Sequence, residues 1–219
     1  MISLHGTTVR GELSLAIDID LGPGLTFVSG PNGSGKTTLL RVLAGLEALD
    51  SGELRLDRED TGSRILDAPA LGVFVAAHER PISVAFQDHR LFPRMSVLDN
   101  VAFAARFRGR SRAEARALAR PFLDAVGVAD LAARRPHQLS IGQQQRTALA
   151  RALATPAELL LLDEPLAAID TLGSDEIRSH LHHAPQQTTL WVTHDADELA
   201  GAQALISVGD GVARQNGTT

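Results

Sequence analysis

Two short stretches of this chain hold residue types that chemistry uses. Gly30-Pro31-Asn32-Gly33-Ser34-Gly35-Lys36-Thr37 spaces its glycines, lysine and threonine as G-x-x-x-x-G-K-[ST], the pattern of a loop that wraps phosphate in backbone N–H groups. Glycine lets the loop turn tightly so that those groups converge, and a helix starting at its end adds partial positive charge. Lys36 would reach the β- and γ-phosphates of a nucleotide, and the Thr37 hydroxyl would join a Mg²⁺ shell. Thr38 follows directly and is counted with the phosphate-binding set. The second stretch, Leu159-Leu160-Leu161-Leu162-Asp163-Glu164, sets two carboxylates at the tip of an apolar run. In open α/β sheets ligands bind at such strand ends. Asp163 suits Mg²⁺ through a water, and Glu164 suits the orientation or deprotonation of an attacking water. Alone, an acidic pair after a strand reads as the start of a loop. Beside a phosphate loop it reads as catalytic.

These residues need strands and helices to hold them. Residues 1–28 alternate loosely around the turn Leu21-Gly22-Pro23-Gly24, which predicts short strands, and Leu25 to Ser29 predicts a buried strand leading into the glycine loop. Thr38 to Leu46 has helical spacing and ends near Gly45. Residues 50–75 return to strand and turn, and Ile82 to Phe86 is a further strand that ends at Gln87. From Asp88 to about Thr155 the pattern is helical, with Ser96 and Ser111 as N-caps and Gly127 as punctuation. Leu159–Leu162 and Thr188–Val192 read as buried parallel strands, with a helix over Thr171 to His183 between them. Alternating strands and helices predict a parallel sheet covered on both faces, interrupted by an inserted helical block.

Composition narrows the function classes. The chain has 219 residues, 44% of them hydrophobic and 21% charged, and its net charge of −5 gives no bulk attraction to nucleic acid or anionic lipid. Arg106, Arg108, Arg110, Arg112, Arg116 and Arg120 form a local basic run, interrupted by Glu114, that reads as a solvated helix face. No cysteine is present, so neither disulfides nor thiolate metal sites are proposed. No apolar stretch approaches the ~20 residues of a membrane span, and the N-terminus lacks the pattern of a signal peptide. Any work at a membrane is therefore expected to go through a partner. His180, His182 and His183 read as an exposed polar face, with a transition-metal site as the alternative.

Further segments make the pattern specific. Leu139-Ser140-Ile141-Gly142-Gln143 resembles the L-S-G-G-Q signature of ATP-binding-cassette (ABC) ATPases, and it is followed by Gln144-Gln145-Arg146, an alanine-rich helix and the Asp163-Glu164 pair. Gln87 resembles the family's Q-loop, Pro165 to Asp170 its D-loop, and His194 in Thr193-His194-Asp195 its switch histidine. The resemblance implies an α/β fold: a P-loop NTPase (RecA-like) core with an N-terminal antiparallel β subdomain and an inserted α-helical subdomain. It places the core and β subdomain at about 1–87 and 156–219, and the helical signature subdomain at about 88–155. It also implies that two copies pair head-to-tail around two Mg-ATP, so that Ser140, Gly142 and Gln143 of one copy face the phosphate loop of the other. Gln87 would touch Mg²⁺ or the lytic water, and His194 would hydrogen-bond the γ-phosphate.

Some positions depart from that pattern. Ile141 replaces a glycine, and an ordinary backbone conformation is expected there. No Phe, Tyr or Trp precedes Phe27, where the family usually stacks adenine on an aromatic ring, and Arg10 is the expected substitute through its guanidinium plane. Ala167 stands where the D-loop often has serine. Phe86-Gln87-Asp88, Leu91-Phe92-Pro93 and Ser96 to Val101 resemble bacterial importer ATPases, in which this region docks a helix of the membrane permease. Gly72-Val73-Phe74-Val75 with Arg80-Pro81 leans toward molybdate or sulfate systems. The implied partners are a second copy, a permease and, in the full system, a solute-binding protein, with the chain peripheral at the cytoplasmic face. Many importers continue into a C-terminal regulatory domain, which is not expected in a chain ending at Thr219. The alternative is a soluble ABC ATPase acting on DNA or ribosomes, which would usually show two cassettes or a long coiled-coil insertion between Gln87 and Ser140. A GTPase should carry N-K-x-D, which is absent.

Overall fold

The computed structural model describes residues 1–58, 62–167, 187–195, 199, 202 and 204–216. They fall in two compact units, Met1–Ile82 with Pro185–Thr219, and Ser83–Ala184. The first unit opens with β1 (Ile2–Arg10), β2 (Leu13–Leu21), β3 (Gly24–Ser29), α1 (Lys36–Ala44), β4 (Ser51–Arg58), β5 (Gly62–Ala68) and β6 (Val73–Phe74). The second unit takes up β7 (Ile82–Ala85) from Ser83 onward, then α2 (Val97–Val101), α3 (Phe103–Phe107), α4 (Arg112–Ala125), α5 (Ile141–Leu153) and β8 (Leu159–Asp163). The chain returns to the first unit with β9 (Thr188–Val192), β10 (Leu205–Gly209) and β11 (Val212–Asn216).

In the first unit the strands run in the order β6-β5-β4-β1-β2-β11-β10-β3-β9. β1 pairs antiparallel with β2 and β4, and β4–β5 and β5–β6 continue that leaf. In β2, Leu15, Ile17, Ile19 and Leu21 are buried while Ser14, Ala16, Asp18 and Asp20 are exposed, the alternation of a sheet with one face on a core. β3 runs parallel to both β10 and β9, and every residue of β9 is buried, as expected of a strand covered on both faces. The β10–β11 hairpin was not expected from the sequence pattern. Asp210 and Gly211 form its turn with φ of 49° and 73°, and the Asp-Gly pair is the signal for it.

α1 is anchored at its far end by a buried cation. Gly45 ends the helix in the left-handed region at φ 74°, and its N–H bonds Arg41 O and Val42 O. Against that end lies the Arg80 guanidinium, which donates to Val42 O and Leu43 O at 2.8 Å each and to Val75 O at 2.8 Å. A cation at the carbonyl end of a helix meets its negative pole. Burial lowers the Arg80 pKa to about 10, opposed by the Asp67 carboxylate 3.9 Å away.

In the second unit Ser96 caps α2 by accepting from Asp99 N–H, and Ser111 and Glu114 form a capping box on α4, as the sequence predicts. Asp99 accepts two 2.8 Å bonds from Arg116 and one of 3.3 Å from Arg112, so part of the basic run ties α4 to α2. Ser83 Oγ of β7 donates to Ala152 O of α5 at 2.9 Å, and Gln145 of α5 donates to Glu164 O, just past β8, at 2.7 Å. The helix expected over Thr171–His183, the three histidines on it and Ala168–Asp170 of the D-loop lie outside the described residues. Among the described residues no helix is long and apolar enough to cross a membrane.

A side chain at Gly45 would meet both an unfavourable φ and the Arg80 guanidinium. Gly45→Ala is expected to lower stability by at least about 2 kcal/mol, of which the left-handed backbone accounts for roughly half or more. A urea midpoint equal to that of the parent chain would show that Arg80 does not need this space.

Candidate functional site

The glycine loop leaves the end of β3, between the parallel neighbours β10 and β9. A Cβ at Gly30 would run into Val208 O of β10, so only glycine passes there. Gly33 and Gly35 take φ of 77° and 110°, and a Cβ at Gly35 would lie 3.2 Å from Leu15 of β2. Gly35 is also the N-cap of α1, with no side-chain cap and no acidic residue in the first turn. Helix N-termini present N–H groups without intrahelical partners, and this one follows directly on the loop. Lys36 is only 9% exposed, and its ammonium donates to Gly30 O at 2.7 Å and Pro31 O at 2.8 Å. Ser34 Oγ is buried in the same loop with no hydrogen-bond partner among the described residues. A cation, an orphaned hydroxyl and a helix start held by glycines fit an anion of phosphate type.

His194 follows β9 and is exposed. Thr193 N–H donates to Val28 O of β3 at 3.1 Å, and Asp195 N–H donates to Thr193 Oγ1 at 3.0 Å. Because β9 and β3 are parallel, with Val28 opposite Val192, His194 and the glycine loop leave the same end of the sheet. Arg10 stands opposite Leu13 in the β1–β2 pairing, and Leu13 reaches to 3.5 Å from the Cβ position of Gly35, which sets Arg10 on the loop's side of the hairpin. Its guanidinium donates to Ala48 O at 2.7 Å and Asp50 Oδ2 at 3.3 Å, and pairs with Glu47 at 3.3 Å. These bonds fix the guanidinium, and the side chain is 36% exposed.

The second unit assembles a different set. All five residues of β8 are buried, Asp163 included. Glu164 follows at φ 49°, a left-handed conformation unusual for this side chain. Gln87, just past β7, donates from Nε2 to Glu164 Oε2 at 3.2 Å, so the structure brings together an amide and a carboxylate that stand far apart in sequence. α5 is capped by Ser140, whose hydroxyl accepts from Gln143 N–H while Gln143 Oε1 accepts from Ser140 N–H. An accepting hydroxyl still has its own proton to give to an incoming anion. Ile141 is the first residue of α5, 70% exposed and outside the left-handed region, as expected. Gly142 follows within the helix. A cavity of about 400 Å³ opens between α2, α3, α4 and the end of α5, lined by Val101, Ala105, Leu118 and Phe122 with Arg108 and Arg110.

Sequence reasoning missed Gln145 and Arg151. Gln145 is buried among Ala148, Leu149 and Ala152 at helical spacing, so an amide in a core position was the available signal.

A model of the ABC transporter family matches residues 16–167. The chain is 42% identical over 226 residues to an Fe(3+) ions import ATP-binding protein of Streptomyces coelicolor, covering 100% of this chain and 62% of that protein. It is 39% identical over 220 residues to a spermidine/putrescine import ATP-binding protein of Vibrio parahaemolyticus, covering 99% of this chain and 55% of the relative. The chain thus spans little more than half the length of these relatives. Among solved structures, the dimeric bacterial ABC transporter cassette MJ0796 is similar at 29% identity with a TM-score of 0.81, covering 100% of this chain and 99% of that one. A post-hydrolysis dimer of the same cassette bound to ADP and Pi is similar at 28% identity and the same TM-score. The expected lean toward molybdate or sulfate finds no support in these relatives, and Arg80, one of the residues behind it, is a buried helix anchor.

Proposed function

The chain belongs to the ABC transporter family, and from that premise we propose that it binds and hydrolyses Mg-ATP to drive solute import through a separate membrane permease. The observation that carries the hydrolytic reading is the Gln87–Glu164 contact at the tip of β8. It holds a carboxylate in one orientation beside a polar amide, as a water-activating base requires.

In this reading the backbone N–H groups of Gly30–Thr38 and the Lys36 ammonium receive the phosphates, and Lys36 exchanges its hold on Gly30 O and Pro31 O for the β- and γ-oxygens. Thr37, Asp163 and Gln87 offer the hard oxygen donors that suit Mg²⁺, which when bound neutralises charge on the transferring phosphoryl group. Glu164 orients the water and takes its proton as the oxygen bonds to phosphorus and ADP leaves. His194 donates to a γ-phosphate oxygen. Ser140, Gly142 and Gln143 come from a second copy, whose α5 N-terminus supplies donors on the far side of the nucleotide. The MJ0796 cassettes, solved as dimers, one with ADP and Pi, support this arrangement.

The importer reading rests on the relatives, both import ATP-binding proteins. The apolar cavity of the second unit, rimmed by Arg108 and Arg110, offers a place for a permease helix. That would hold the chain at the cytoplasmic face as a peripheral subunit, with a solute-binding protein completing the system. The relatives handle Fe(3+) ions and polyamines, which favours a cationic solute over an oxyanion. We assign the base-stacking role to Arg10, whose plane is already fixed.

Glu164→Gln is expected to keep ATP affinity, lower hydrolysis roughly 10²- to 10⁴-fold and accumulate an ATP-bound dimer by light scattering; a normal rate would assign the base elsewhere. In Arg10→Ala the preference for ATP over GTP should narrow in competition binding, and an unchanged ratio would remove Arg10 from the base site.

A further inference from the structure

Left-handed backbone is disfavoured for residues other than glycine, and among the described residues only His89, Arg90, Glu164 and Asp210 adopt it without being glycine. Asp210 is the hairpin turn already described. The remaining cases lie in the second unit, on the loop after Gln87 and at the carboxylate after β8. Their carbonyl groups share one feature. Each accepts a hydrogen bond from a side chain of α5: Gln145 Nε2 to Glu164 O at 2.7 Å, and Arg151 to Arg90 O at 2.7 Å and to His89 O at 2.9 Å.

Gln145 is buried, and no carboxylate pairs with Arg151 among the described residues. Burial holds the Arg151 guanidinium below its ordinary pKa, and the Phe92 ring centroid lies 5.4 Å from it. A half-buried cation whose main partners are two carbonyls of one turn fixes that turn more tightly than a fully solvated one would. Gln145 and Arg151 stand roughly 9 Å apart along α5 and roughly 120° apart around it, so the helix holds one loop on each of two sides. The loops meet where Gln87 donates to the Glu164 carboxylate.

We infer that Gln145 and Arg151 are positioning residues of the hydrolytic site, holding the strained Glu164 and His89–Arg90 backbone so that the Glu164 carboxylate and the Gln87 amide keep their mutual geometry. The inference rests on the hydrolytic reading above. It also gives α5 two ends with linked work: its N-terminus at Ser140 is offered to the nucleotide of a partner copy, while its flanks hold the carboxylate and glutamine loops of its own chain.

The test uses the full chain with Mg-ATP and two replacements at each position. Gln145→Glu keeps size and shape but loses the N–H donor. Arg151→Met keeps bulk without charge, and Arg151→Lys restores a single donor group in place of the fork. Dissociation constants for ATP and kcat at saturating ATP are measured together, with circular dichroism as the check on folding. The expected result is a kcat lowered roughly 10- to 100-fold in Gln145→Glu and Arg151→Met, an intermediate kcat in Arg151→Lys, and ATP affinity within about threefold of the parent, the scatter of a single uniform contact. A normal kcat in Gln145→Glu, or affinity falling in step with kcat, overturns the inference. Should Arg151→Met fail to fold, Gln145→Glu decides alone. If Glu164→Gln hydrolyses ATP normally, the hydrolytic reading fails and this one with it; if Glu164→Gln is inactive while Gln145→Glu is normal, only the positioning role fails.

Discussion

A triphosphate brings concentrated negative charge, and a protein holds it well only with donors fixed before it arrives. In the proposed function, that constraint accounts for the glycine loop and the way α1 is held. Gly30 passes β10 where no Cβ fits, Gly35 turns against Leu15 of β2, and Lys36 is buried with its ammonium parked on two carbonyls of its own loop. At the other end of α1, Arg80 bonds the last carbonyls and Gly45 gives it room. The helix is thus anchored at its carbonyl pole by a buried cation, while its N–H pole stays open for an anion. The sheet, the hairpin and the guanidinium all serve one loop.

The second unit meets a different demand. A carboxylate that activates water must point in one direction, and a flexible loop after a strand does not ensure that. In the proposed mechanism, that direction is set by the hydrogen bonds that hold Glu164 and the loop after Gln87. Glu164 at φ 49° and the His89–Arg90 turn are each fastened to α5, and the Gln87 amide bonds the carboxylate. Strained residues at functional sites persist where surrounding contacts over-determine them. α5 supplies those contacts, and its own start at Ser140 is capped through a hydroxyl that keeps a proton to donate.

What could be read from the sequence was what depends on local pattern. The glycine loop, the leucine run ending in Asp163-Glu164, β9 and the Ser96 and Ser111 caps are written in neighbouring residues, and they stand where the pattern puts them. The residues that were missed depend on partners far along the chain. Arg80 reads as part of a lean toward oxyanion importers until α1 is folded against it. Arg151 reads as part of a helix face until the loop after Gln87 offers it two carbonyls. Ser83 and Glu164 bond to α5 across long stretches of chain, and no local composition marks those contacts. Arg10 shows the mixed case: its type suggested a planar platform, but only the folded hairpin shows that Ala48, Asp50 and Glu47 fix the plane.

The account turns on a nucleotide held from two sides, by the glycine loop of one copy and the α5 N-terminus of another. Complementation tests this most directly. Lys36→Ala and Gly142→Asp chains, each inactive alone, are mixed in equal amounts and ATP hydrolysis is measured. With head-to-tail pairing, about half of the dimers in the mixture join one chain of each kind, and each of these carries one intact site of its two, so about a quarter of the parent activity should return. Activity no greater than the sum of the separate chains would mean that each copy builds its site alone.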